Sequence, residues 1–440
     1  MLDRLFKLTA HGTTPAREVV AGITTFAAMS YILAVNPEFL SATGMDRAGL
    51  VTVTALAAAI GTLVMAGLTN YPLALAPGMG LNAYFAFTVC LGLGIPWQNA
   101  LGLVFWNGVL FVLLSVTGVR SRVARAIPHS LRIGVQCGIG LFIAFIGLKN
   151  GGIIVASDAT LVTIGDLSQP GPLLVILGII LTAALVVHRV PGAIILSILA
   201  VTMVGMLFPR GDGSEGNITA LPDALVSLPS GISETFFALD ILYPFTHFAE
   251  VYPIILTLLF VDLFDTIGTL IGVSRRANLL DEQGELPKIG GALTADASAT
   301  IVGACLGTST TTSYVESAAG VEAGGRTGLT GVTVAGCFLL ALLFTPIILI
   351  IPPEATAPAL VMVGVFMMQG IQHLNLEKIT ELAPAFVTML VMPLAFSISE
   401  GIGIGFIAFT GVMVLTGRPR EVGWLTYLLT GLFLLHYVLG

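Results

Sequence analysis

Apolar runs long enough to cross a lipid bilayer recur from one end of this 440-residue chain to the other. A membrane-spanning helix needs about 20 predominantly apolar residues. Only 10% of the residues are charged, against about 25% in an average soluble domain. With short connections, the runs predict about 12 to 14 spans and leave no room for a sizeable soluble domain. We therefore expect an all-α polytopic membrane protein.

Several functional classes are disfavoured by what the chain lacks. Its net charge of −7 provides no basic surface for nucleic acid. The cysteines lie in apolar stretches without metal-ligand spacing, so we expect no metal site and no cofactor; they are Cys90, Cys137, Cys305 and Cys337. No phosphate-binding loop, zinc-binding helix motif or nucleophile elbow occurs, which argues against an enzyme or an ATP-driven pump. The polar segment 1–18 leads into a full-length span, so no cleavable signal peptide is predicted.

The orientation in the membrane follows from Lys and Arg in the short connections, which favour the cytoplasmic side. Three connections carry such clusters: Arg120, Arg122, Arg125 and Arg132 in the first, Arg275, Arg276 and Lys288 in the second, Arg418 and Arg420 in the third. We expect these connections and the N-terminus to be cytoplasmic. The long connection 209–243 contains a single Arg and should lie on the opposite side.

The spans divide into two halves around that long connection. Residues 1–210 form the first half, 211–245 the connecting loop and 246–440 the second half. The first half has seven predicted spans, near 19–40, 47–68, 71–90, 98–118, 132–149, 172–188 and 191–208. Seven spans per half would give the second half the opposite orientation. The number of crossings in the final apolar stretch, 382–439, stays open at this stage.

Two segments are poor candidates for continuous lipid-facing helices. Residues 71–90 contain Pro72, Pro77, Gly78 and Gly80, and residues 306–325 contain six consecutive Ser and Thr residues followed by acidic side chains. Irregular backbone at membrane depth is tolerated only when it is buried or lines a cavity. A pair of interrupted segments at matching positions of two halves indicates the binding site of an inverted-repeat transporter. The alternative is two Gly- and Pro-rich loops between ordinary helices.

Ionisable residues inside spans are the candidates for function, since each costs about 2.5 to 3.5 kcal/mol at a helix centre. Asp262 and Asp265 lie three residues apart and share one helix face with Thr266 and Thr269. This face should point into the bundle. The pair either carries function or braces neighbouring helices.

The interrupted segments add further candidates. Glu316 follows the hydroxyl run directly, and its alternative role is a helix cap. Asn82 offers both donors and acceptors, which suits a heteroaromatic ring, and Gly80 allows the backbone to approach a flat ligand. Ser313, at the end of the hydroxyl run, is a further predicted contact. Asp296 is a lesser candidate, as a partner within the bundle.

Five sequence blocks resemble bacterial AzgA-type purine permeases, a branch of the nucleobase–cation symporters. The blocks are FKLTAHGTTPAREVVAGITTFAAMSYI, APGMGLNAYFAF, FVDLFDTIGTLIGV, GTSTTTSYVESAAGVEAGGRTGLT and SISEGIGIGF. The resemblance implies about fourteen segments as two inverted seven-span repeats. It also implies a core domain from segments 1–4 and 8–11, a gate domain from segments 5–7 and 12–14, and short β-strands in segments three and ten.

The same resemblance implies a substrate site between segments three, eight and ten. It also implies a protein of the bacterial inner membrane that forms a homodimer. Gly80 and Asn82 match the third segment, Asp262 and Asp265 the eighth, and Glu316 the tenth. The Gln-Asn…Thr-Gly signature of the xanthine, urate and uracil carriers is missing. This difference favours adenine, guanine or hypoxanthine as substrate.

A proton-symport mechanism follows as a hypothesis. Glu316 would accept purine N–H groups in charge-assisted hydrogen bonds, with Asp265 on the other edge of the base. Asp262 or Asp265 would carry the coupling proton, because apolar surroundings disfavour a charged carboxylate; sodium is the alternative coupling ion. Elevator-like movement of the core against the gate would complete import. Competing interpretations are an anion carrier of the sulfate-permease type, a channel-like pore and a membrane enzyme acting on lipid.

Overall fold

The computed structural model describes residues 2–117, 127–211, 215–222, 224–277, 279–281 and 286–439. Within these ranges, ten helices are long and apolar enough to cross a membrane, and four shorter apolar helices accompany them. The predicted all-α membrane architecture is therefore confirmed. Arg120, Arg122 and Arg125, on which part of the orientation prediction rests, lie outside the described residues.

The first half begins with a short terminal helix and ends before the long connection. Its helices and strands are α1 (Leu2–Phe6), α2 (Pro15–Met29), α3 (Ile32–Ser41), α4 (Arg47–Thr69), β1 (Leu75–Pro77), α5 (Met79–Ala83), α6 (Trp97–Val116), α7 (His129–Asn150), β2 (Ile154–Ser157), β3 (Leu161–Ile164), α8 (Pro170–Val187) and α9 (Ala193–Gly205). A π-helical stretch, Tyr84–Gly92, continues α5. Thus the third segment is a strand followed by a helix, as predicted.

The second half repeats this plan and then adds one helix. Its elements are α10 (Tyr243–Thr246), α11 (Phe248–Arg276), α12 (Ile289–Leu306), β4 (Thr311–Ser313), α13 (Ser317–Glu322), α14 (Gly328–Ala341), α15 (Thr345–Leu349), α16 (Pro353–Met368), α17 (Ile379–Leu394), α18 (Ile398–Leu415) and α19 (Trp424–Leu439). The final apolar stretch, left open by the sequence, contains three helices. The third of them, α19, follows the seventh segment of this half.

Equivalent elements of the two halves pack in equivalent ways. Helix α4 packs on α14, and its counterpart α12 packs on α6. Strand β1 lies against α4, and β4 lies against α12. Among the later helices, α8 contacts α16 in the same manner as α17 contacts α7. This reciprocal pattern is expected when two copies of one fold interlock through a pseudo-twofold axis.

The two interrupted segments meet in a small antiparallel sheet. The register pairs Leu75 with Ser313, Ala76 with Thr312, and Pro77 with Thr311. All of these residues are buried. Backbone bonds continue the ladder on both sides of the strands, from Gly78 N to Thr310 O and from Tyr314 N to Ala74 O, each 2.9 Å long. The sheet therefore joins the two halves at the centre of the bundle.

Side chains of the flanking helices satisfy the outer edges of this sheet. Thr62 of α4 accepts a hydrogen bond from Leu75 N (2.9 Å) and donates one to Leu75 O (3.1 Å). At the equivalent place on α12, Thr300 donates to Thr311 O (2.9 Å). Unpaired backbone groups are costly where water is absent. These threonines allow extended backbone to lie at membrane depth.

Candidate functional site

The acidic face of α11 separates into two different environments. Asp262 is fully buried, and its carboxylate accepts from Asn107 Nδ2 at 3.4 Å. It also lies 3.3 Å from Thr266 Oγ1, whose single hydroxyl proton it shares with Asp296. Asp265 is half-buried, and within the described residues no protein group donates a hydrogen bond to it. The predicted shared polar face is present, but only Asp265 keeps its carboxylate open to a ligand.

Asp296 of α12 is the centre of the hydrogen-bond network behind the sheet. Its Oδ1 accepts from both the backbone N (3.0 Å) and the hydroxyl (3.2 Å) of Ser313. Its Oδ2 accepts from Thr266 Oγ1 (2.8 Å), and Thr266 also contacts Thr312 Oγ1 at 3.0 Å. Asp296 therefore fixes β4 against α11 and α12. From the sequence it is only a lesser candidate, as a partner within the bundle.

Ser313 and Asn82, both predicted substrate contacts, are buried and engaged with protein groups. The Ser313 side chain is 2% exposed and bonds Asp296. Asn82 is fully buried, and its Oδ1 accepts a hydrogen bond from the Ser309 hydroxyl. The other end of this amide, Nδ2, has no hydrogen-bond partner within the described part of the chain. Asn82 thus links the first interrupted segment to the second while retaining an unused donor.

Gly80 lies where the first interrupted segment meets α7. A Cβ placed at this residue would be 2.7 Å from Ile139 Cγ2, which is closer than packed carbon atoms tolerate. The missing side chain is therefore required for the approach of α5 to α7. Whether Gly80 also faces a substrate, as the family resemblance implies, stays a prediction.

Glu316 lies directly before α13 and is half-buried. Its Oε1 accepts a 2.5 Å hydrogen bond from the hydroxyl of Tyr31, which lies between α2 and α3. Tyr314 Oη, two residues before Glu316, donates to the Pro77 carbonyl at 2.6 Å. The second interrupted segment is thereby attached both to the first and to the α2–α3 junction.

Tyr31 is a site contact that no local sequence pattern indicates. It lies in the apolar run FAAMSYILAV, where an aromatic residue is ordinary core material, and Glu316 is 285 residues away in the chain. Asp296 carried a weak signal, a carboxylate among Ala, Ser and Thr residues. The pairing of the two halves brings Tyr31 to Glu316, whereas Asp296 meets Thr266 and Ser313 through contacts within the second half.

Asp265, Asp296 and Glu316 form an acidic cluster beside the central sheet. Among the described residues, its accessible members Asp265 and Glu316 are not paired with a cation. Asp265 lies within electrostatic range of both Asp296 and Glu316. Ion pairs within the described residues join Arg276 to Glu322 and Lys378 to Glu381, so they involve neither Asp265 nor Glu316. No group of three or more His, Cys, Asp or Glu side chains within this part of the chain is arranged to hold a metal ion. Carboxylate oxygens that have no cation beside them can accept hydrogen bonds from N–H donors.

The fold and this central site define a membrane transporter of the inverted-repeat class. The transmembrane domain of a cyanobacterium bicarbonate transporter, BicA, has the same fold, with a TM-score of 0.65 and 14% sequence identity. The superposition covers 88% of this chain and 96% of that one. At this identity the likeness concerns the fold alone, and it confirms the predicted inverted-repeat architecture.

The sequence comparisons place the chain more narrowly. A family model described as "Permease family" matches residues 16–404, and the chain belongs to this family. Adenine permease AdeQ of Escherichia coli K12 is 44% identical over 100% of this chain and 96% of its own length. Guanine/hypoxanthine permease PbuG of Bacillus subtilis is 42% identical over 99% of each chain. The predicted kinship with permeases is confirmed, and the protein is a transporter rather than an enzyme.

Proposed function

We propose that the protein imports purine nucleobases together with a proton. The substrate class is supported by relatives named as adenine and guanine/hypoxanthine permeases, which align with nearly the whole chain. Adenine, guanine and hypoxanthine are the candidate bases. A proton is the proposed coupling ion, in the bacterial inner membrane with a cytoplasmic N-terminus.

The observation that carries the proposal is the pair of accessible acids beside the central sheet. Asp265 and Glu316 are half-buried within the membrane-spanning bundle, and neither pairs with a cation among the described residues. An uncompensated buried carboxylate is strongly unfavourable. A proton can neutralise one carboxylate, while the N–H groups of a purine can satisfy the other in charge-assisted bonds.

We assign Glu316 to the base and Asp265 to the proton. Asp262 is the weaker candidate for proton coupling, because its carboxylate is fully buried and bonded to Asn107 and Thr266. Asn82 is assigned to the base through its unused Nδ2 donor, with Gly80 beside it. Ser313 contributes by holding its strand in place through Asp296.

The proposed movement is elevator-like, with segments 1–4 and 8–11 as a core and segments 5–7 and 12–14 as a gate. Residues 1–210 and 246–440 are the proposed repeats. Among the described residues, the polar contacts across the proposed boundary include those of Thr356 and Asn150, which both donate to Glu38, the latter at 3.4 Å. Arg47 also donates to the Ile351 carbonyl at 3.0 Å, and Thr88 donates to the Phe396 carbonyl at 3.3 Å. They would have to break when the core moves. Assembly as a homodimer is part of the same proposal.

An anion carrier remains the second candidate because the bicarbonate transporter shares the fold. The acidic cluster argues against it. An anion at this place would be repelled by Asp265, Asp296 and Glu316. The two candidates differ in the charge of the cargo and can be separated in one assay.

Uptake of radiolabelled adenine, guanine and hypoxanthine, in cells without their own purine carriers, tests the proposal directly. We expect accumulation of at least one base that collapses with a protonophore and persists when sodium is replaced. Asp265→Asn should abolish accumulation or make it insensitive to the protonophore. Asp158→Asn, an equal charge change on an exposed loop between β2 and β3, is the matched control.

Each outcome of this assay has a defined meaning. If a well-inserted protein takes up none of the bases, the purine assignment is wrong. Bicarbonate or sulfate uptake would then support the anion carrier. If accumulation collapses when sodium is removed, and not when the protonophore is added, the coupling ion is sodium and not a proton. Normal protonophore-sensitive accumulation by Asp265→Asn would refute the role of that residue.

A further inference from the structure

We propose that Tyr31 sets the base selectivity of the permease by competing with the base for one oxygen of Glu316. The inference rests on the proposed purine transport and on Glu316 as the base-binding carboxylate. It concerns which edge of a purine the site accepts. It does not depend on proton coupling.

The position of Tyr31 is determined by its backbone. It lies at the break between α2 and α3, where its carbonyl accepts from Ala34 N (3.0 Å) and Val35 N (3.1 Å) to start α3. The side chain is 1% exposed. A residue held at both its backbone and its ring presents its hydroxyl to Glu316 with little freedom.

The hydrogen bond between these residues has a defined direction. An ionised carboxylate only accepts, so the tyrosine hydroxyl donates its single proton to Glu316 Oε1, 2.5 Å away. Tyr31 is also the only side chain that donates to Glu316 among the described residues. Oε1 has thus already accepted one hydrogen bond, whereas Oε2 accepts none from a side chain of the described residues.

Purine edges differ in how many carboxylate oxygens they engage. Guanine presents two adjacent donors, N1–H and the 2-amino group, which match both oxygens of a carboxylate in a bidentate pair. Hypoxanthine presents N1–H beside the O6 acceptor, and adenine presents its 6-amino group beside the N1 acceptor. Guanine must share Oε1 with Tyr31 to form the bidentate pair, whereas a base with one donor can use Oε2 alone. The site therefore suits the edges of hypoxanthine and adenine better than that of guanine.

The wild-type protein provides the first test, because hypoxanthine and guanine differ only in the 2-amino group. Competition of unlabelled hypoxanthine and guanine against a transported labelled base gives their relative affinities. We expect hypoxanthine to compete about tenfold better, the value of one hydrogen bond to a charged group. Equal competition, or stronger competition by guanine, would overturn the inference even though purine transport itself stands.

The second test is Tyr31→Phe, which removes the hydroxyl and keeps the ring. Releasing Oε1 should reduce the preference for hypoxanthine over guanine by about tenfold. Tyr71→Phe is the matched control, because it removes a tyrosine hydroxyl bonded to Lys288 N (3.1 Å) at another place in the chain. An equal loss of affinity for all three bases in Tyr31→Phe would assign the residue a purely structural part and refute the inference. Absence of uptake of any base by the wild type would refute the proposed function as well.

Discussion

The two interrupted segments share one backbone plan but differ in chemistry. Each has a three-residue strand followed by a short helix, and each strand is supported by a threonine from the helix before it, Thr62 or Thr300. The first segment carries only uncharged groups, among them Asn82. The second carries six consecutive Ser and Thr residues, followed by Glu316 and Glu322. The backbone architecture is thus duplicated, while the charge is confined to one copy.

The two segments also differ in their surroundings beyond the sheet that they share. The first continues as a π-helix to Gly92 and approaches α7 through Gly80. The second ends at Glu322 and is bonded to Tyr31 and Asp296. We infer that the first segment mainly provides shape and the second mainly provides recognition. These two different roles can be tested by substitutions in each segment separately.

The largest effect is expected from the charged segment. Glu316→Gln retains the shape of the side chain but removes the charge, so purine uptake should fall about a hundredfold or more, as for loss of a buried charged hydrogen-bond partner. Asn82→Ala, in the uncharged segment, should reduce uptake only about tenfold. Labelled-base uptake at matched membrane expression measures both. Glu322→Gln, which alters an exposed ion pair with Arg276, is the control; a larger loss from Asn82→Ala than from Glu316→Gln would reverse the comparison.

An intermediate effect is expected where the first segment meets α7. Gly80→Ala places a methyl group 2.7 Å from Ile139 Cγ2, and overpacking of this kind costs about 1 to 3 kcal/mol. Uptake should fall about tenfold, and the double variant with Ile139→Ala should recover most of it. Gly67→Ala on α4 is the control, because open space surrounds that position. Failure of Ile139→Ala to restore uptake would mean that Gly80 acts on the substrate and not on helix packing.

The smallest effect should be shared by both segments. Thr62→Val and Thr300→Val each remove a hydroxyl that bonds strand backbone, which should destabilise the protein by about 1 to 3 kcal/mol. Thermal unfolding in detergent measures the two variants under the same conditions. Similar shifts are expected if the backbone plan is truly duplicated. Destabilisation by only one of the two would show that the sheet depends on one half.

Much of the fold was predictable, because membrane depth makes each departure from an apolar helix informative. Proline, glycine and hydroxyl runs marked both interrupted segments, and the cost of a buried charge drew attention to Asp265 and Glu316. The resemblance supplied the inverted-repeat arrangement. The number of helices after residue 382 was not predictable, since apolar runs of similar length specify no tertiary position.

The site was predictable only in part, because its network depends on contacts between distant parts of the chain. The different environments of Asp262 and Asp265 follow from Asn107 on another helix, which no local pattern relates to them. Tyr31 and Asp296 resemble ordinary core residues in their local sequence. Their importance arises from contacts with distant residues. Tyr31 donates to Glu316, and Asp296 accepts from Ser313 and Thr266.

The central sheet also has a consequence for biosynthesis. Ala74 N bonds the hydroxyl of Ser317, 243 residues later in the chain, and the ladder between β1 and β4 spans a similar separation. While the ribosome is still producing the second half, the first strand has no partner. The nascent first half must therefore stay incompletely folded in the membrane until β4, Thr311–Ser313, has been synthesised. Separately expressed halves should accordingly require co-insertion, since neither contains a complete sheet.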